Sequence, residues 1–230
     1  MTRNATSFPF DIVLFDLDGT LVDSNRDLAP AVNHALSLED RPPVPEAEVR
    51  NLIGGGAFAM LERALQATGG PVAQTRFAEL GAELLAHYRA HIADNTVPFE
   101  GVTAALDRLA QLGCKLAVCT NKAEEPARDL LAKLDLAGRF DAIYGGDTLG
   151  PGNAKPDPAM LYAAIADCGG GRAAMVGDST YDVRAARNAN IPAITFRYGY
   201  HDVPVEELGG DAMIDHWNEL LPTLEGVLTS

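Results

Sequence analysis

The sequence predicts an α/β fold: a parallel sheet with helices on both faces and an inserted α-helical cap. Three observations predict it. Short β-branched and apolar runs alternate with stretches of helical periodicity. Polar residues gather where those runs end. The alternation breaks once, from about Ser24 to Val97, where no convincing strand occurs.

The first strand is Asp11-Ile12-Val13-Leu14-Phe15, an unbroken apolar run of the kind that is buried on both faces of a sheet. It stops at Asp16-Leu17-Asp18-Gly19-Thr20, where the chain turns polar. Helical patterning then runs over Leu28 to Leu38, Ala57 to Ala67 and Phe77 to Ile92, punctuated by Pro42-Pro43 and Gly69-Gly70-Pro71. Roughly seventy residues of helix is far more than a crossover needs. The expected division is therefore a core of residues 1–22 and 98–230 and a cap of residues 23–97. Asp23-Ser24-Asn25 and Asp94-Asn95-Thr96 would be its hinges.

Beyond the insert, Val102, Ala105, Leu106, Leu109 and Leu112 form an apolar stripe that Gly113 ends. The second strand is Lys115 to Cys119, closing at Thr120-Asn121-Lys122. A helix through Leu130, Leu131 and Leu134 leads to a short strand, Asp141 to Tyr144, which ends at Gly145-Gly146-Asp147. Met160, Leu161, Ala164, Ile165 and Cys168 mark a helix before the strand Ala173 to Val176, which ends at Gly177-Asp178-Ser179. Val183, Ala186 and Ala189 mark the last clear helix, followed by strands at Ala193 to Phe196 and Ala212 to Ile214. Strand–helix alternation of this kind is Rossmann-like.

Length and charge narrow the function. A chain of 230 residues holds one ordinary domain and a smaller insert. Its net charge of -14 repels nucleic-acid phosphates and anionic lipid, so neither is an expected partner. Solubility is the plainer reading of that charge. A small anionic substrate can still bind where a metal ion and a few basic residues reverse the local field. The cysteines, Cys114, Cys119 and Cys168, are three, which suggests buried thiols and no disulfide framework. Met1 to Pro9 has no signal-like apolar core, and no apolar run is long enough to span a bilayer. A cytoplasmic protein is expected. No exposed apolar stripe decides the oligomeric state.

In open parallel sheets, ligands bind at the C-terminal strand edge. The strand ends there carry Asp16 and Asp18, Thr120, Asp147 and Asp178. Converging carboxylates repel one another unless a cation neutralises them. Oxygen-only ligands point to a hard divalent ion, Mg²⁺ by default. The competing reading is that these acids cap the helices that follow the strands.

Asp16-Leu17-Asp18-Gly19-Thr20-Leu21-Val22 resembles the first signature of the haloacid dehalogenase-like hydrolases. Thr120, Lys155 and Gly177-Asp178-Ser179-Thr180-Tyr181-Asp182 match the remaining three motifs in order. The resemblance implies Asp16 as nucleophile and Asp18 as general acid and then base. It implies that Thr120 donates to a phosphoryl oxygen, while Lys155 holds charge on Asp16 and on the transferring group. Asp16, Asp178 and the carbonyl of Asp18 would ligate the metal. Asp182, one helical turn after Asp178, would bind a metal-bound water or a neighbouring ligand.

Outside the catalytic motifs, Ile53 to Ala57, Leu61 to Leu65, Thr120-Asn121-Lys122, Lys155 to Pro158 and Arg197 to Tyr200 are similar to bacterial phosphoglycolate phosphatases. Glycolate phosphate carries a carboxylate that needs a cation or N–H groups to receive it. Gly54, Gly55 and Gly56 before a helix, Arg50 and Arg63, and Asn121 and Lys122 are the candidates. Other small phosphate esters remain alternatives for a phosphatase of this pattern. A phosphomutase of the same fold would share the four core residues, but such enzymes often replace the Thr after Gly19, which this chain keeps. A dehalogenase would usually lack a residue like Asp18. A receiver-type signalling domain would have no helical insert after its first strand.

Overall fold

Ile12–Phe15 (β1) is fully buried, and its alternate residues face two different layers. Ile12 and Leu14 pack with Ala117, Cys119 and Met175, under Met160, Leu161, Val183 and Ala186 of two helices. Val13 and Phe15 pack with Leu116, Val118 and Val176 on the opposite face, under Leu106, Leu109, Leu130 and Leu224. A strand covered on both sides must be apolar throughout, which is why its sequence shows no alternation. The computed structural model describes residues 8–227. The start of the chain that was read for a signal segment therefore lies partly outside the described residues, through Ser7.

The chain runs β1, β2 (Val22–Asp23), α1 (Asn25–Ser37), α2 (Glu46–Val49), α3 (Ala57–Thr68), α4 (Gln74–Ala90) and β3 (Val97–Pro98). It continues through α5 (Val102–Gln111), β4 (Lys115–Cys119), α6 (Glu124–Lys133), β5 (Ala142–Tyr144), α7 (Ala159–Asp167) and β6 (Ala173–Gly177). The last elements are α8 (Thr180–Asn188), β7 (Ala193–Phe196), β8 (Ala212–Ile214) and α9 (Leu220–Gly226). Six strands form one sheet in the order β5-β4-β1-β6-β7-β8, and every pairing is parallel. Neighbours of β1 thus come from distant parts of the sequence, and β4 and β6 bring their C-terminal ends beside its own.

Helices α1, α3 and α4 pack on one another through Leu28, Val32 and Leu36, Met60, Leu61 and Leu65, and Leu80 and Leu84. Gly81, in mid-helix, leaves room for the Phe58 ring, which an added Cβ would meet at 2.2 Å. The chain enters and leaves this helical unit through an unforeseen two-stranded ribbon. Val22 pairs antiparallel with Pro98, and Asp23 with Val97. Buried Asp27, in the first turn of α1, reinforces the ribbon: its carboxylate accepts hydrogen bonds from the backbone and side chains of both Asn95 and Thr96 at 2.6–3.1 Å. All three cysteines are free and buried, and burial pushes the Cys119 thiol up to about 12. No helix among the described residues is long and apolar enough to cross a membrane.

Candidate active site

Asp16 is the first residue past β1, and its N–H still donates to the Val176 carbonyl at 2.9 Å. That bond sets Asp16 beside Asp178, the first residue past β6. Asp16, Asp178 and Asp182 each present a carboxylate oxygen, and these lie within 4.8 Å of one another. Close approach is made possible by glycine. A Cβ on Gly19, whose φ is 84°, would sit 2.2 Å from Asp178 Oδ2, and one on Gly199 would sit 2.5 Å from it. A Cβ on Gly177 would lie 2.3 Å from the Asp182 carboxyl carbon.

Lys155 is the cation among these acids. Its buried Nζ donates to Asp16 Oδ1 at 2.7 Å and Asp182 Oδ1 at 2.6 Å. Burial works against the ammonium, but Asp16 and Asp182 outweigh it and push the group's pKa up. Asp178 is held by the Thr20 hydroxyl at 3.1 Å and the Tyr200 N–H at 2.5 Å. The Tyr200 hydroxyl reaches on, donating to Asp23 at 2.6 Å and accepting from the Asn25 N–H at 2.9 Å. Thr20 therefore orients a carboxylate, and the Arg197 to Tyr200 segment is part of the site's frame.

Asp182 owes its place to a helix cap. Asp178 precedes α8 and is not on its face, which corrects the expectation of one shared helical face. Ser179 is the N-cap, and Asp182 Oδ2 accepts from the N–H groups of Asp178 and Ser179 and from the Ser179 hydroxyl. Its other oxygen is left for Lys155. The Ser-x-x-Asp spacing at 179–182 is a capping-box signal that the sequence carried.

The acids are short of positive charge. Burial raises the Asp16 carboxyl, Lys155 opposes it, Asp182 and Asp18 add to it, and the pKa is raised to about 6. Asp178 is raised well above the ordinary carboxylate range by burial and by Asp16 and Asp182. Three buried carboxylates sharing one ammonium, with oxygen as the only donor type, fit a hard divalent cation.

Asp18 and Lys122 face the same cavity of about 450 Å³, which Asp16, Thr120, Lys155 and Asp178 also line. Asp18 Oδ2 pairs with Lys122 Nζ at 2.9 Å, and its Oδ1 accepts from Ser24 Oγ at 2.6 Å. The Thr120 hydroxyl accepts the Lys122 N–H at 3.2 Å, which leaves its own proton to donate. Asn121 donates through Nδ2 to the Lys155 carbonyl at 2.9 Å, while its buried Oδ1 has no partner. Gly54, Gly55 and Gly56 border the cavity just before α3, with φ of 112°, 72° and 92°.

Two expected residues are occupied elsewhere. Arg63 does not line the cavity: its guanidinium donates to the carbonyls of Leu52 and Gly54 at 2.6 and 2.8 Å and braces the glycine loop from behind. Arg50 donates to the Gly199 carbonyl at 3.0 Å. Asp147 stays at the cavity rim, where it accepts the Glu124 N–H at the start of α6, so for this strand end the capping reading is the right one. Tyr88 was not foreseen at all. It lies in the apolar stripe of α4, where an aromatic residue reads as core, yet it lines the cavity.

The fold and this cluster define a class, and the chain belongs to the haloacid dehalogenase-like hydrolases, whose family description matches residues 13–196. Two relatives called phosphoglycolate phosphatase are similar to it over nearly their whole length. The one from Caulobacter vibrioides is 42% identical, covering 95% of this chain and 92% of its own. The one from Agrobacterium fabrum is 40% identical, covering 98% and 97%. A crystal structure described as a predicted phosphoglycolate phosphatase from Haemophilus somnus superimposes with a TM-score of 0.86 at 28% identity, covering 94% of this chain and 98% of that one. The chain is an enzyme of the phosphatase kind within its family, whose phosphatases use a divalent metal.

Proposed function

We infer that this enzyme hydrolyses 2-phosphoglycolate with Mg²⁺, through a phosphoryl group carried on Asp16. The observation that carries this reading is the gathering of Asp16, Asp178, Asp182 and Lys155 at one strand edge, in a cavity shared with Asp18 and Thr120. The substrate follows from the names of the two bacterial relatives and from the cations and N–H groups around that cavity.

Lys155 fixes Asp16 through Oδ1 at 2.7 Å, and the Asp16 carboxylate attacks phosphorus. As it bonds to phosphorus, the bond from phosphorus to the ester oxygen breaks, and Asp18 gives that oxygen its proton. Asp18, now a carboxylate, takes a proton from water as the water oxygen attacks phosphorus. The Asp16 carboxylate departs, and inorganic phosphate is released. The Thr120 hydroxyl and the Lys155 ammonium hold phosphoryl oxygens, which is most of what a loose transition state requires. Asp16, Asp178 and the Asp18 carbonyl would hold Mg²⁺, with Asp182 behind them, and the ion would supply the positive charge that lets a carboxylate meet a phosphate dianion. The N–H groups of Gly54, Gly55 and Gly56 and the side chain of Asn121 border the organic part of the ester. Residues 23–97 act as a cap on a core of residues 1–22 and 98–230 and keep bulk water from the reacting atoms.

Phosphate release over a panel of small phosphate esters tests the reading. Glycolate phosphate should give the highest kcat/KM, with excess chelator stopping turnover and Mg²⁺ restoring it. Turnover in excess chelator, or a sugar phosphate or nucleotide preferred over glycolate phosphate, would contradict it. A mutase would rearrange a sugar phosphate and release no phosphate.

A further inference from the structure

Lys122 and Tyr88 raise a question that the hydrolytic mechanism leaves open. Lys122 is a buried ammonium, 8% exposed, and its anion is Asp18. Its Nζ also lies 4.4 Å from the centre of the Tyr88 ring, on α4 of the helical unit. Tyr88 is 2% exposed, and the polar group beside its hydroxyl is the Lys122 ammonium, which can only donate to it, so the hydroxyl's own proton has no acceptor. A buried hydroxyl without an acceptor is costly, and native structures rarely keep one that no ligand uses. Leu84, Leu85, Met60 and Phe58 give the cavity an apolar share of its wall, and Arg89, which also lines it, is paired with Glu125.

Asp18 is occupied on both oxygens, by Ser24 and by Lys122. Proton transfer to a leaving oxygen needs one of them free. Lys122 cannot simply withdraw, because a buried ammonium without an anion is unfavourable. It can exchange one anion for another. In a glycolate ester a single CH₂ separates the carboxylate from the bridging oxygen that Asp18 protonates. The group that receives this carboxylate must therefore lie next to Asp18. Lys122 does, at 2.9 Å, whereas Arg63 is spent on the Leu52 and Gly54 carbonyls.

We propose that Lys122 Nζ and Tyr88 Oη form the subsite for the substrate's carboxylate, and that this carboxylate draws Lys122 off Asp18 Oδ2 and so frees the acid for catalysis. This rests on the reading of the enzyme as a phosphatase for a carboxylate-bearing ester, and adds what selects that ester. Tyr88 donates to one carboxylate oxygen and Lys122 to the other. An ester without a second anion leaves Lys122 on Asp18 and turns over slowly even when its phosphate is well seated. Selection thus falls on kcat as well as on KM.

Steady-state kinetics on glycolate phosphate and on its uncharged amide, 2-phosphoglycolamide, test the proposal in the wild type, Tyr88→Phe, Lys122→Met and Lys122→Arg. The wild type should prefer the carboxylate ester by about 100-fold in kcat/KM, the scale of one or two charge-assisted hydrogen bonds. Tyr88→Phe keeps the ring and should lose about tenfold on the carboxylate ester alone. Lys122→Met should bring the two esters to within a few-fold of each other, and Lys122→Arg should recover part of the preference. Thermal unfolding of each variant with Mg²⁺ identifies any that fail to fold, and Tyr88→Phe, which removes one atom, serves as the test if Lys122→Met does. A wild-type preference that survives both substitutions overturns the subsite and leaves the phosphoglycolate reading standing. A wild type that does not distinguish the two esters overturns both.

Discussion

Asp16 is the proposed nucleophile, and its environment makes a pH prediction. Its carboxyl is raised from 3.8 to about 6, mainly by burial. Between those values the native state holds a proton that the unfolded chain releases, so metal-free stability falls as pH rises through this window. The cost is complete above about pH 6 and amounts to about 3 kcal/mol for this group. A divalent cation binds the ionised carboxylates and offsets it. About half of that cost falls between pH 5 and pH 7.5, so in chelator the thermal midpoint should be roughly 3 to 6 °C lower at pH 7.5 than at pH 5. Mg²⁺ should raise it more at pH 7.5, and Asp16→Asn should narrow the gap between the two pH values. A metal-free midpoint that rises from pH 5 to 7.5 would contradict this picture of the site. At this scale Asp16, Thr120 and Asp178 stood out because each lies just past a strand, whereas Lys155, on a loop, stood out only through the resemblance to the family's motifs. Tyr88 did not, because a tyrosine in the apolar stripe of α4 reads as core, and nothing local marks the Tyr200 hydroxyl, which reaches Asp23 and Asn25 across about 175 positions of chain.

Elements position these residues, and the ribbon of β2 and β3 is the joint between the helical unit and the sheet. Two residues per strand are too few to show a period, so the ribbon was invisible in the sequence. The six sheet strands were visible to within a residue at each end, since each is a compact apolar run with a polar stop. Asp27 sits beside the joint. Burial alone would raise its carboxyl, but the hydrogen bonds from Thr96 and Asn95 outweigh that and hold it below the usual range. The clamp is therefore fully present above about pH 4, the unfolded value, and weakens as pH falls below it. Asp27→Ala leaves the Asn95 and Thr96 N–H groups without their acceptor and should destabilise by roughly 2 to 3 kcal/mol. Urea unfolding at neutral pH measures this, and a loss under half a kcal/mol would show that the ribbon holds without it.

Across the whole molecule, the parallel order β4-β1-β6 converts residues 16, 120, 155 and 178 into neighbours, and the helices after β2 add the second wall of the cavity. In a chain of net charge -14, the buried Lys155 and Lys122 face the acids of that cavity, and Arg89, paired with Glu125 at 2.5 Å, is a third basic residue lining it; a bound cation would complete the balance. The account depends on a phosphoryl group residing on Asp16. The direct measurement is acid quench and peptide mass analysis of the Asp18→Asn variant, mixed with 4-nitrophenyl phosphate and Mg²⁺. That leaving group departs without a proton, so phosphorylation proceeds, while water attack stalls without the base. The account predicts that the peptide containing Asp16 gains the mass of one phosphoryl group, approaching one per chain, and that the gain is absent when Asp16→Asn is added. A peptide that stays unmodified, or a phosphoryl group found on another residue, would contradict it.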